Sequence, residues 1–301
     1  MDMALFPFHM IYNRKKRNKG DGTMKTADEM LKSRLVELSK NQFKPGREED
    51  CFLLIKEVCR NLGSPDAVLR DELGYTLLAE WVYRQKLLTN DQLHELYKMM
   101  ISEDMWFYKI GEIQTDSVLM RSFTSLGMTL LLKTDQDDPF LTKTDWQKAL
   151  MSTVQYCTLE KDLRGYSETA GWMHAAAHVA DLLTAFAEHP DFSSIHTKTL
   201  LTCMERIMEN AKTVFKDEED ERLARSLKAL VQHSHLSADE MLDWFARIPL
   251  EAESYINGYR KRINWKHLFR ASLLQLHKKD LFSQERLSSE LTRSRFNNPY
   301  I

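Results

Sequence analysis

Three side chains that can bind a metal ion recur with helical spacing in the second half of the chain. His174, His178 and Asp181 occupy positions i, i+4 and i+7 of the stretch WMHAAAHVADLLTAF. On a helix with about 3.6 residues per turn, these positions share one face. Two imidazoles and one carboxylate suit zinc, manganese or iron, so the spacing predicts a divalent-metal site. The HxxxH pattern lacks the internal glutamate of HExxH, and no general base is evident within it.

The same residues fit two other interpretations, in which no metal is bound. His174 and His178 can be surface or groove residues, one of them hydrogen-bonded to Asp181. Alternatively, a histidine and Asp181 form an acid–base pair. If neighbouring helices stack in register, Glu221 flanks His174 and adds a ligand, and Glu221 or Tyr166 assists a metal-dependent reaction.

The segment EKDLRGYSETAGW, directly before the histidine-bearing stretch, offers a second set of binding groups. Arg164 supplies a guanidinium for an anion, Gly165 permits a flexible turn, and Tyr166 supplies an aromatic wall. Binding residues concentrate on loops of this kind. The structural alternative is that Arg164 pairs with Asp162 or Glu160 and orders a long connection.

Two further segments carry charged residues at the start of predicted helices. In GEIQTDSVLMRSF, Glu112, Ser117 and Arg121 are candidates for lining a binding groove. The alternative is that Arg121 and an aspartate form a structural ladder between successive helix pairs. In KDEEDER, the acidic groups suit the positive end of a helix dipole, with cation binding by Glu218 and Glu221 as the alternative.

The elements that must position these residues are helices. Periodicity typical of helices dominates from about residue 27 onward, and no segment alternates with the period of two that a strand requires. Five helical segments align on one polar position at spacings of 45, 57, 47 and 45 residues, namely Thr76, Arg121, His178, Arg225 and Arg270. Five further helical stretches are predicted near residues 48–62, 89–102, 143–158, 193–211 and 237–247.

A unit of two helices in about 45 residues is typical of HEAT or armadillo arrays. The sequence therefore predicts an all-α fold, a right-handed α-superhelix of antiparallel helix pairs, with a generic helical bundle as the alternative. In the third aligned segment, one apolar stripe contains Trp172, Ala176, Val179, Leu183 and Phe186. Polar faces stacked in register form a continuous concave groove. Its predicted lining includes Thr76, Arg121, His174, His178, Asp181 and Arg225.

Charge and composition argue against several functional classes. The 42 basic and 44 acidic residues give a formal net charge of −2, which argues against nucleic acid as a partner. No apolar run reaches the roughly 18 residues of a transmembrane segment. The four cysteines show no CxxC spacing and predict reduced core thiols in a cytoplasmic protein: Cys51, Cys59, Cys157 and Cys203.

The N-terminal region is predicted to lie outside the folded domain. Its apolar block, MDMALFPFHMIY, precedes the basic residues, which is the reverse of a secretory signal. Thr26 and Glu29 form the pattern of a capping box at the first helix, and Met24 is the predicted start of translation. Residues 1–23 are expected to be a disordered or non-native extension, and residues 24–301 a single helical-repeat domain.

Three motifs resemble one protein family. TDSVLMRSF, DLRGYSETAGWMHAAAHVADLL and EDERLARSL are similar to segments of the uncharacterised bacterial domain-of-unknown-function family 2785. The resemblance covers roughly residues 30–298, and the second motif is its most specific part. It implies an all-helical, HEAT-like fold and supplies no reaction to assign.

The leading functional hypothesis is a helical-repeat scaffold that binds a protein or peptide in the polar groove. The alternative is a metal-dependent, hydrolase-like enzyme that uses the histidine–aspartate site. A third hypothesis is binding of nucleic acid or a phosphorylated ligand through Arg164, Arg121 and Arg225.

Overall fold

The computed structural model describes residues 26–249 and 255–297, and within them the chain is mostly helical. In chain order the helices are α1 (Ala27–Lys40), α2 (Cys51–Arg60), α3 (Val68–Tyr75, Thr76–Leu78 and Ala79–Arg84 in succession), α4 (Asn90–Met100), α5 (Ser117–Asp137), α6 (Lys143–Leu159), α7 (Ala175–Glu188), α8 (Thr197–Asn210), α9 (Glu219–Gln232), α10 (Ala238–Arg247), α11 (Tyr255–His277) and α12 (Gln284–Arg293). The strands are β1 (Tyr166–Ser167) and β2 (Gly171–Trp172). The predicted all-α class is therefore confirmed.

Alternate helices pack against one another in chain order. The last part of α3 packs on α5, α5 on α7, α7 on α9, and α9 on α11. A second row contains α4, α6, α8 and α10. Here the Tyr97 hydroxyl donates to the Asp145 carbonyl oxygen at 2.8 Å, α6 packs on α8, and Trp244 Nε1 donates to Glu205 Oε1 at 2.7 Å. This alternation fits the predicted helix pairs, while the right-handed superhelix stays a prediction.

The first helix begins where its cap predicts. Thr26 Oγ1 accepts the Glu29 amide at 3.2 Å, and Glu29 Oε2 accepts the Thr26 amide at 2.9 Å. This reciprocal pair satisfies two amide groups that the helix itself leaves without acceptors. The predicted extension over residues 1–23 and the predicted start at Met24 lie outside the described residues.

The apolar face of α7 is buried between α5 and α9, as its periodicity predicts. Four residues of the predicted stripe are buried on this helix: Ala176, Val179, Leu183 and Phe186. Trp172 does not belong to the stripe, because the helix begins only at Ala175. His174, directly before it, has φ 46° and ψ 35°, so the chain turns in the left-handed region and Trp172 lies in β2.

Two parts of α3, Val68–Tyr75 and Ala79–Arg84, have π-type hydrogen bonding from residue i to i+5. A Cβ on Gly74 would lie 2.8 Å from the carbonyl oxygen of Leu69, so the tight backbone there requires glycine. Helical segments of this type are rare and often accompany functional positions. The segment Val68–Tyr75 carries Arg70, whose side chain reaches β2.

A fully buried ion pair joins α5 to the end of α6. Arg121 Nε donates to Glu160 Oε2 at 2.6 Å, and Arg121 Nη2 donates to Glu160 Oε1 at 2.9 Å. The other N–H groups of Arg121 donate to the carbonyl oxygens of Tyr108, Lys109 and Glu112. A single side chain therefore connects α5, α6 and the turns that follow α4. The pairing is two-pronged, which is the strong geometry for arginine and carboxylate.

All four cysteines are free thiols, and three of them are buried: Cys59, Cys157 and Cys203. Within the described residues, none of the helices is both long and apolar enough to cross a membrane.

Removal of the charge on Glu160 tests the importance of its ion pair with Arg121. Glu160→Gln leaves the buried guanidinium of Arg121 without a counter-ion and should lower the free energy of unfolding by about 3–5 kcal/mol. Urea denaturation measures this change. The matched control is Glu209→Gln, which removes an exposed pair with Arg206 and should cost less than about 1 kcal/mol. Equal effects of the two substitutions would contradict the assignment.

Candidate functional site

The chain between α6 and α7 forms a short antiparallel ribbon. Tyr166 pairs with Trp172, and Ser167 pairs with Gly171, in the β1–β2 register. Gly171 has φ 72°, a left-handed conformation that favours glycine. The sequence predicts only a loop here, because two-residue strands are too short to produce an alternating pattern.

Arg70 of α3 holds the second strand of the ribbon. Its Nη2 donates to the carbonyl oxygens of Ala170 at 2.7 Å and Trp172 at 3.2 Å. Its Nη1 donates to the carbonyl oxygen of Ser64 at 2.7 Å. The guanidinium also lies over the Phe123 ring, 4.7 Å from the centroid. The buried cation thus fixes the ribbon between α3 and α5.

His178 holds the end of the ribbon against α5. Its Nδ1 lies 2.7 Å from Ser122 Oγ, and the Ser122 hydroxyl donates to the Met173 carbonyl oxygen. Because the hydroxyl has one proton, the hydrogen between the two side chains is assigned to His178 Nδ1. Burial lowers the pKa of His178 well below its usual range, so the ring is neutral. Its predicted position in an open groove is wrong, because the ring is buried and packs edge-on to Phe123.

His174 lies at the turn from β2 into α7 and is itself buried. The Trp172 ring stacks on it with a centroid distance of 4.2 Å. Burial, reinforced by the charge of Arg222, lowers the pKa of His174 to about 4, so the imidazole is neutral at pH 7. Its Nε2 is buried without a hydrogen-bond partner among the described residues. A buried nitrogen without a partner is costly and marks a position that a ligand can complete.

Asp217 and Glu219 meet His174 at the start of α9. One ring nitrogen of His174 and one carboxylate oxygen of each acid lie within 4.8 Å of one another. The Tyr166 amide donates to Asp217 Oδ2 at 3.1 Å, and the Asp217 amide donates to Glu219 Oε2 at 2.9 Å. Glu218, between the acids, has φ 65° and turns the chain in the left-handed region. We call His174, Asp217 and Glu219 the candidate metal cluster.

The two carboxylates of this cluster repel each other. Burial raises the pKa of Glu219, and the charges of Asp217 and Asp220 raise it further. Glu219 is almost fully buried, whereas Asp217 is partly exposed. The arrangement combines a neutral imidazole with two anions in a largely buried site. The low dielectric constant there strengthens the attraction between these anions and a cation.

Gly165 allows the acids to approach the ribbon. A Cβ at this position would lie 1.9 Å from Asp217 Oδ2 and 2.8 Å from Glu219 Oε1. The Gly165 carbonyl oxygen also accepts the Met173 amide at 2.8 Å. The close approach of the carboxylates, rather than a flexible turn, therefore favours glycine here, since a larger residue would displace them.

Asp181 does not join His174, contrary to the prediction. Its carboxylate forms an ion pair with Arg222 of α9, and Arg225 Nη1 lies 3.6 Å from Asp181 Oδ1. Because His174 stands outside α7, the predicted helical relation between His174 and Asp181 does not exist. The acid instead balances the arginines of the next helix.

Glu221 also lies away from His174. Gln275 Nε2 donates to Glu221 Oε2 at 2.8 Å on the exposed side of α9. Glu219 and Glu221 are two residues apart, so they point about 200° apart around the helix axis. Helices α7 and α9 do pack on each other, as the prediction for Glu221 assumes, but the acid that reaches His174 is Glu219.

Glu112, Ser117 and Arg121 belong to one hydrogen-bond network at the start of α5, in which Glu112 and Ser117 are partly exposed and stay predicted groove residues, whereas Arg121 is buried. Ser117 Oγ accepts from Arg121 Nη1 at 2.8 Å, and Thr115 Oγ1 donates to Glu112 Oε2 at 3.0 Å. Hydrogen bonds from Ser117 and Thr115 lower the pKa of Glu112. The prediction for Arg121 is wrong, because Glu160 and the turns after α4 enclose its guanidinium.

Arg164 follows the structural alternative. Its Nε and Nη2 bind the Asp162 carboxylate at 2.7 and 2.6 Å, and Nη2 also donates to the Thr115 carbonyl oxygen at 2.8 Å. Tyr166, in contrast, keeps 46% of its surface exposed. Its ring lies edge-on to Trp172, with centroids 4.8 Å apart, so two aromatic rings stand beside the candidate metal cluster.

The last two predicted groove residues lie apart from the candidate metal cluster. Thr76 is partly exposed on α3 and lines a cavity with Phe43 and Lys44. Arg225 is partly exposed on α9.

Sequence reasoning missed Asp217 and Glu219. The acidic segment KDEEDER was assigned to the helix dipole, with Glu218 and Glu221 as the cation-binding alternative. The left-handed turn at Glu218 decides which acids face His174, and no residue pattern announces that turn. The ribbon brings Gly165 next to His174, and the sequence alone does not show this ribbon.

Residues 106–275 match the model of a protein family described as "Protein of unknown function (DUF2785)". This match confirms the resemblance of the three sequence motifs, and it includes Gly165 and the candidate metal cluster. No curated protein and no solved structure matches the chain.

A methyl group at position 165 tests the role of Gly165. Gly165→Ala should displace the Asp217 carboxylate, because the new Cβ occupies its place. The Tyr166 amide then loses its acceptor, and its hydrogen exchange should accelerate while the melting temperature changes little. Gly46→Ala is the control, since a Cβ there meets nothing within 4 Å. Unchanged exchange at Tyr166 would show that the contact is absent in solution.

Proposed function

The chain belongs to the DUF2785 family of proteins of unknown function, and we propose that it is a metal-dependent, hydrolase-like enzyme. The proposed ligands are His174, Asp217 and Glu219. One observation carries the proposal: His174, Asp217 and Glu219, from two separate segments, each bring one ligand atom within 4.8 Å of the others, and Nε2 of His174 is buried without a described partner.

The electrostatics of the candidate metal cluster support a bound cation. Two carboxylates lie together in a largely buried position, and the raised pKa of Glu219 reflects the unfavourable burial of its charge. The His174 imidazole is neutral, as metal coordination requires. A divalent cation would offset the repulsion between the acids and accept the lone pair of the histidine.

The geometry is suited to a first-row metal after small side-chain rotations. Ligand atoms about 2.1 Å from one ion lie roughly 3 Å from each other, so the present separations need to shorten by up to about 2 Å. One nitrogen and two oxygen donors suit zinc, manganese or iron. Three protein ligands would leave coordination positions open, and an ion held there would supply the Lewis acidity that activates water for hydrolysis.

The residues around the cluster have distinct roles in this proposal. The Tyr166 and Asp217 amides orient the two carboxylates, and the stacked Trp172 ring fixes the imidazole plane. Oriented ligands of this kind bind metal more tightly than free side chains. The exposed Tyr166 ring can position a substrate beside the ion.

A scaffold that binds a protein or peptide in a concave groove is the second candidate. The alternating rows of helices and the exposed Tyr166 ring support it, because aromatic rings are frequent anchors at interfaces. The buried positions of Arg121 and His178 remove two side chains on which this hypothesis depends. The right-handed HEAT-like superhelix belongs to this second proposal.

We place either activity in the bacterial cytoplasm. The free thiols of Cys59, Cys157 and Cys203 support a reducing compartment.

Neutralisation of Glu219 tests the metal proposal. The metal-free wild type should bind about one equivalent of zinc or manganese by isothermal titration calorimetry, and Glu219→Gln should weaken this binding by about 10-fold or more. Because the pKa of Glu219 is raised in the folded protein, its ionised form opposes folding at neutral pH. Metal-free Glu219→Gln should therefore melt higher than the wild type, by up to about 3 °C.

Glu221→Gln is the matched control, since it removes the same charge from the same helix at an exposed position. It should leave metal affinity unchanged. Absence of metal binding by the wild type, or an equal loss in both variants, would refute the proposal.

A further inference from the structure

A row of cations continues along α9 from the candidate metal cluster. Arg222, Arg225 and Lys228 follow Glu219 at intervals of three residues, so successive members lie about 60° apart around the helix and the row winds away from Glu219. Lys279, directly after α11, stands near Lys228, since α9 packs on α11. We call Arg222, Arg225, Lys228 and Lys279 the basic cluster.

The basic cluster carries more positive charge than its neighbours balance. Arg222 and Arg225 share the single carboxylate of Asp181. Within residues 26–249 and 255–297, no ion pair or side-chain hydrogen bond involves Lys228 or Lys279. Burial lowers the pKa of Lys228, the charges of Arg225 and Lys279 lower it further, and the charge of Glu188 opposes this shift. Like charges held this close repel each other in the ligand-free protein.

The side chains remain accessible although they lie among packed helices. The Arg225 side chain is 37% exposed, and Asp181 is 17% exposed. Burial raises the pKa of Asp181, whereas the two arginines lower it. A ligand that approaches from solvent can therefore reach the guanidinium groups and compete with Asp181 for them.

We propose that the basic cluster binds a phosphate group, free or esterified, of the substrate that reacts at the candidate metal cluster. Guanidinium groups match the oxygens of phosphate, and a dianion uses several cations at once. Arg222 connects the two clusters, since it follows Glu219 by one turn of α9 and binds Asp181 of α7, the helix that begins directly after His174. The substrate is thus a phosphorylated compound. This inference rests on the proposed function.

Inorganic phosphate is the probe that separates this inference from the metal proposal. We would titrate the full chain, freed of metal with a chelator, and follow binding by calorimetry and by the ³¹P line width. The double variant Arg225→Gln/Lys228→Gln should bind phosphate at least about 10-fold more weakly than the wild type. It should still fold, because Asp181 keeps its ion pair with Arg222.

Two controls define the outcome. Lys148→Gln/Lys198→Gln removes the same charge from exposed positions on α6 and α8 and should not change phosphate affinity. Asp181→Asn should strengthen phosphate binding, since it frees Arg222 and Arg225 from their internal partner.

Glu219→Gln distinguishes the two proposals, because it should lose metal affinity and retain phosphate binding in the chelated protein. Absence of phosphate binding by the wild type, or equal affinities in the wild type and the Arg225→Gln/Lys228→Gln variant, would overturn the inference. Weaker phosphate binding by Asp181→Asn would overturn it as well. Phosphate binding without metal binding would leave the basic cluster supported and refute the metal proposal alone.

Discussion

A buried guanidinium needs hydrogen-bond acceptors, and two buried arginines organise the segment between α6 and α7 by binding acceptors within it. Arg121 binds Glu160, where the segment begins, and Arg70 binds the carbonyl oxygens of Ala170 and Trp172, near its end. Neither guanidinium can move away without losing these hydrogen bonds in the core. The path of the chain that carries the site is therefore fixed by helices α3 and α5, which contribute no ligand.

The same constraint explains how the site tolerates unfavourable local structure. His174 and Glu218 both adopt left-handed backbone conformations directly before a helix, and each costs free energy for a residue with a Cβ. The two turns bring together the metal-binding side chains at the starts of α7 and α9. Strain of this kind persists only where the surrounding packing determines it, and the ribbon held by Arg70 supplies that packing.

The sequence predicts the helices, their alternation and the family well, because each depends on local periodicity and on motifs. It predicts the site only in part. A helical wheel gives Arg121 a polar face, but it does not show that the turns after α4 cover that face or that the end of α6 supplies Glu160 as its partner. The predicted ligand His174 belongs to the candidate metal cluster, whereas Asp217 and Glu219 depend on turns that periodicity does not encode. Side chains that meet through irregular backbone are the ones that the pattern misses.

The contact of Arg70 with the ribbon has one more consequence, for variation between related chains. Arg70 binds main-chain oxygens of Ala170 and Trp172, which every amino acid possesses. The tip of the ribbon, with exposed Glu168 and Thr169, is therefore free to change its side chains without loosening the anchor. The side chains that this tip presents to a neighbouring molecule can therefore differ between related chains while His174 keeps its position.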